Sequence, residues 1–163
     1  MAIQHERNSV LSRRTLAGLP FLVLGVAAVI AGGGTAAAVA YHPTEHLIWM
    51  VAYLVLVVGV MQCGLGTGQA WLTRDPPSGR VAWCQWALYN LGNAAVIAGT
   101  LDDRFDWVAC GTVLFAAAIA WFLYGVRIVR WRWGGIAYRV LLGVIFSGSL
   151  IGLVISGVAN RRW

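Results

Sequence analysis

The chain contains no lysine, and only six of its 163 residues are acidic. Charged residues make up 11% of it, against about a quarter in a soluble globular domain, and so low a share excludes that class. Cysteine is equally sparse: Cys63, Cys84 and Cys110 are odd in number, scattered, and lack the CxxC spacing of a zinc or redox site. Each falls within apolar sequence and reads as a small hydrophobe. Also missing are a Gly-rich phosphate loop, a GxSxG elbow, an HExxH pair and a kinase signature, so no nucleophile stands beside its base and the chain leans away from being an enzyme. No charge lies near the middle of any apolar block, which argues against a proton-coupled pump.

What the chain has instead is hydrophobicity: 60% apolar residues and a mean hydropathy of +0.73. The apolar residues come in nearly uncharged blocks of about twenty, the length that spans about 30 Å of hydrocarbon. The expected fold is therefore all-α, a polytopic integral membrane bundle. Five spans are expected, over 15–40, 47–72, 81–100, 107–126 and 136–159, behind a polar cytoplasmic tail at 1–14. The whole of 15–163 then forms one bundle domain.

The first block supports a second reading. Ser12-Arg13-Arg14-Thr15-Leu16 resembles the start of a twin-arginine export signal, and Ala38-Val39-Ala40 a small-residue cleavage site. Cleavage after Ala40 would leave four spans. The block is also long enough to cross a bilayer as a retained helix, and arginines before a first span are expected from topology alone.

The formal charge of +6 invites a nucleic-acid reading, which the placement of the arginines rejects. They sit in the short gaps between apolar blocks, where the positive-inside bias and anionic headgroups account for them. Nine lie in the tail, in 74–80 and in 127–139, while Arg104, Arg161 and Arg162 lie on the other side. This places the N-terminus inside and the C-terminus outside a prokaryotic cytoplasmic membrane. Trp49, Trp71, Trp83, Trp107, Trp131 and Trp133 fall near block ends, as in interfacial aromatic belts.

Three sets of residues carry candidate chemistry. His42, Glu45 and His46 lie where the chain re-enters the membrane from outside, near the acidic 102–106 connection if the second and third spans are neighbours. Imidazole and carboxylate are ligands for a transition metal, so an outer-face metal site is one reading. A second is a helix start, with His42 as N-cap, Pro43 at the first position and Glu45 at the third, and a third is catalytic or proton-relay use, with His46 and Glu45 as acid/base groups. A bis-histidine haem would need a second helical histidine from a partner.

The second set is intramembrane amides: Gln62 and Gln69 on one face of the second span, Asn90 and Asn93 on one face of the third. They either bond helix to helix or line a small polar cavity for a solute, quinone or ion. The third set is small residues, Gly64 and Gly68 as GxxxG and Gly148, Gly152 and Ser156 as a small-xxx-small series, which let helices approach closely. Together these point first to a non-enzymatic accessory or assembly subunit, or a self-associating bundle, whose partners are the bilayer, further copies or other membrane subunits. A small-solute or metal-handling protein, and an interfacial enzyme acting on lipid or quinone, are the alternatives.

Overall fold

The computed structural model describes the backbone of residues 2–129 and 131–160, with side chains across 13–129 and 131–151 and at 154 and 157. The described chain is helices joined by short turns and has no strand beyond one isolated bridge. Helix α1 covers Ala2–Val39, α2 Glu45–Tyr53 and α3 Gln62–Leu72, with a π-wound segment, Leu54–Met61, joining α2 to α3 in one rod. Helix α4 covers Gly79–Leu101, α5 Phe105–Gly125 and α6 Arg132–Asn160. Four stretches are long and apolar enough to cross a membrane: Arg13–Val39, Glu45–Leu72, Phe105–Gly125 and Arg132–Ile151. Helix α4 is as long as α5, but Gln85, Asn90, Asn93 and its tryptophans dilute its hydropathy below that standard.

The polar residues expected to form a tail continue α1 instead. Residues 2–17 contain neither glycine nor proline, so nothing in them stops a helix. The start of α2 also differs from expectation. Thr44, not His42, is the N-cap; its hydroxyl accepts from Leu47 N at 3.3 Å, and Glu45 follows in the first turn. A threonine hydroxyl on extended backbone reaches the free N–H groups that a histidine before proline does not. Ser78 caps α4 in the same way, accepting from Val81 N. At the far end of α4, Asp103 takes a left-handed φ of 52°, and Arg104 N closes onto Gly99 O at 2.8 Å. This is a Schellman turn with aspartate at the position glycine usually holds.

Packing rests on two glycine seams. Gly18 and Gly25 of α1 meet Gly66 and Gly59 of the rod. A methyl group placed on Gly25 would fall 2.9 Å from Gly59 O and 2.5 Å from Cys63 Sγ. Between α4 and α5, a methyl group on Gly92 would fall 2.7 Å from Phe115 N, and one on Gly111 2.7 Å from Gly92 O. The small residues singled out from sequence lie elsewhere. Gly64 and Gly148 face open space, Gly68 faces the Tyr138 ring, and the side chains of Gly152 and Ser156 fall outside the described residues.

The core lies where α1, the rod, α4, α5 and α6 converge on Phe21, Leu65, Tyr89, Phe122, Tyr138 and Leu142. Phe21 meets Phe122 edge to face at 5.4 Å, and Tyr89 lies 5.3 Å from Phe115. One end of the bundle is closed by two arginines that cap helix C-termini. Arg14 donates to Ala70 O at 2.6 Å and Arg74 O at 3.3 Å; Arg139 donates to Val126 O and Arg127 O. The Thr73–Val129 bridge joins the segments after α3 and α5 at the same end.

Candidate functional site

The rod is the element that shapes the site. In an α-helix each four-residue step overshoots a full turn by about 40°, so a side chain every fourth residue walks around the axis. The wider turns of the π segment, bonded i to i+5, undershoot and cancel that drift. Trp49, Tyr53, Val57 and Met61 are thereby kept on one line, and they form one wall of a groove of about 450 Å³. Val96 and Thr100 of α4, Thr112 and Phe115 of α5, and Ile145 and Ser149 of α6 supply the facing walls. Most of these side chains are half-buried, so the groove opens to the surface of the bundle.

Tyrosine hydroxyls span the space between the rod and its neighbours. Tyr53 donates to Asn93 Oδ1 at 2.7 Å, Tyr89 to Val57 O at 2.6 Å, and Tyr138 to Leu65 O at 3.0 Å. The first two tie the rod to α4 beside the groove; the third ties it to α6. A sequence reading that looked for histidines and amides passed over these tyrosines, whose periodicity is that of ordinary core residues.

The amides do not gather into one layer. Asn93, buried, accepts from Tyr53; Asn90 turns back to Trp86 O of its own helix at 2.8 Å; Gln69, buried, donates to Ala17 O of α1 at 3.1 Å. Gln62 is fully buried, and neither its amide nitrogen nor its oxygen has a partner. The antiparallel pairing set by the Tyr53–Asn93 and Tyr89–Val57 bonds puts Gln62 at the level of Gln85 and Trp86. Gln85 Oε1 and Trp86 Nε1 are also buried without partners.

At the end of the bundle nearest the groove, His46 Nε2 lies 3.6 Å from Asp103 Oδ1, with both side chains exposed. This joins the start of α2 to the α4–α5 turn. His42 and Glu45 are exposed, and among the described residues no three His, Cys, Asp or Glu side chains gather as metal ligands. The cysteines are free and separate: Cys63 packs at the α1 seam, while Cys84 and Cys110 face outward.

Comparison with known proteins brings no relative: no protein family, no curated protein and no solved structure matches the chain.

Proposed function

We propose that the chain is a five-span protein of a prokaryotic cytoplasmic membrane, with its N-terminus inside and its C-terminus outside, that binds a lipophilic small molecule in the groove without transforming it. The carrying observation is the groove itself: about 450 Å³ of mostly apolar lining with a few fixed hydroxyls, walled in part by the π segment and bridged beside it by the Tyr53–Asn93 bond. Small-molecule sites have that volume and that mixture of apolar wall and sparse polar groups. Membrane placement is supported by the four apolar helices and by Trp71, Trp83, Trp131 and Trp133, exposed at the arginine-rich end. Helix α4 is read as the fifth span because its polar side chains Gln85 and Asn93 are turned inward, away from lipid.

Retention of α1 belongs to this reading. Phe21 is fully buried against Phe122 and Arg14 caps α3, so cleavage after Ala40 would open the core and uncap a helix.

A photoaffinity experiment tests the proposal. A diazirine-bearing fatty alcohol, irradiated with the protein in native membranes, is expected to label Trp49, Met61 and Ile145 in preference to the exposed faces of α1 and α6. Labelling spread over those faces with none in the groove would overturn it.

A second reading is favoured by one observation. Val140, Val144 and Ile151 of α6 form an exposed apolar stripe around Gly148, which has open space before it. A second copy or another membrane subunit seated there would make the chain an accessory subunit. Cross-linking through a cysteine placed at Val144 checks this: a single dominant adduct is expected if a partner helix is present, and only monomer if lipid covers the face.

A further inference from the structure

The hydroxyls of the groove are not equivalent to free hydroxyls, because three of them have already committed their protons. Tyr53 donates to Asn93 Oδ1 at 2.7 Å. Thr112 Oγ1 donates to Val108 O at 2.8 Å, and Ser149 Oγ donates to Ile145 O at 2.8 Å. A hydroxyl has one proton and two lone pairs, so each of these oxygens can still accept but no longer donate. All three side chains line the same mostly apolar groove, from the rod, α5 and α6. Thr100 is the remaining lining hydroxyl; it makes no hydrogen bond among the described residues and is free to turn to either role.

Resting on the binding reading above, we propose that the groove selects a lipophilic alcohol or phenol, a ligand that brings a hydrogen-bond donor, over a ketone, ester or ether of the same shape. A ligand O–H placed among Tyr53, Thr112 and Ser149 meets lone pairs that no other group satisfies. A ligand oxygen without a proton meets those same lone pairs and gains nothing from them; only Thr100 and the Trp49 indole N–H remain to donate to it. Turning Thr112 or Ser149 toward such a ligand would first break its bond to the carbonyl one helical turn back. The apolar walls sharpen the difference, since a polar group taken out of water and left unpaired costs more than one that finds its partner. Within a redox pair of similar shape, the same argument favours a hydroquinone over its quinone. No covalent or electron-transfer step is implied.

The test uses the full chain in lipid nanodiscs and a pair of probes matched in size, para-dodecylphenol and para-dodecylanisole, which differ by one methyl group in place of the donor proton. Native mass spectrometry reads the occupancy of each. The phenol is expected to bind about tenfold more tightly, the worth of one hydrogen bond. In the Tyr53→Phe/Thr112→Val/Ser149→Ala triple variant, which removes all three acceptors, the preference should shrink toward unity while the anisole still binds, which shows that the groove itself remains. Equal binding of the two probes to the unmodified protein, or an unchanged preference in the triple variant, would overturn the inference and leave the groove reading standing. Failure of both probes to bind would overturn the groove reading.

Discussion

Two arginines show how a charge can serve structure while looking like a topology signal. Arg14 is 6% exposed and spends its guanidinium on carbonyls at the C-terminal end of α3; Arg139 does the same for α5. Hydrogen bonds from a charged donor contribute about 2 kcal/mol, so Arg14→Ala should lower stability by about that amount, measured as a fall in thermal midpoint in mild detergent. Arg14→Lys should recover only part of it, because an ammonium cannot fork between two carbonyls. Asp103 makes the opposite case. Its left-handed φ strains a side-chain-bearing residue, whereas its pairing with His46 is exposed and worth little. Asp103→Gly should therefore leave the thermal midpoint unchanged or raise it slightly, and a clear loss would show that the His46 contact matters more than its exposure implies. At this scale the sequence was partly legible. The arginines and His46 stood out by chemical type, but capping by Arg14 depends on a residue sixty positions away, and Thr44 was overlooked beside a more conspicuous histidine.

Among the elements, the break between α3 and α4 followed closely from turn residues, because Pro76, Pro77 and Ser78 stop and restart the chain wherever the helices are packed, whereas the start of α1 did not. Which glycines join the helices did not follow. Gly64 and Gly68 make the familiar GxxxG spacing, but the rod's rotation about its axis turns Gly59 and Gly66 toward α1 instead. The difference is measurable. Gly25→Leu or Gly66→Leu should destabilise the protein by about 1–3 kcal/mol through overpacking, whereas Gly64→Leu, facing open space, should be tolerated. Comparing yield and thermal midpoint of the three variants checks the seam. The π segment was not legible either. Leu54–Met61 is an unbroken apolar run with one glycine, and nothing in such a run distinguishes i to i+5 winding from i to i+4.

For the whole molecule, an all-helical bundle with membrane-length apolar helices was readable from composition and block length, since both are properties of the chain before it folds; five spans were expected, and four stretches, α1 among them and α4 not, reach that length and hydropathy. The groove was not. Its walls come from the rod, α4, α5 and α6 together, and the tyrosines that tie the rod to α4 and α6 have a spacing that carries no signal. If α1 is part of the folded unit, the intact mass of protein taken from native membranes should include residues 1–40; a mass beginning at Tyr41 would contradict its place in the core. The central claim is that the groove holds a lipophilic molecule, and native mass spectrometry of the gently extracted protein beside its Val57→Trp variant tests it most directly. The account predicts a small lipophilic adduct on the unmodified chain that disappears when the indole fills the groove, with the fold and thermal midpoint preserved. A bare unmodified chain, or an adduct that persists in the variant, would contradict it.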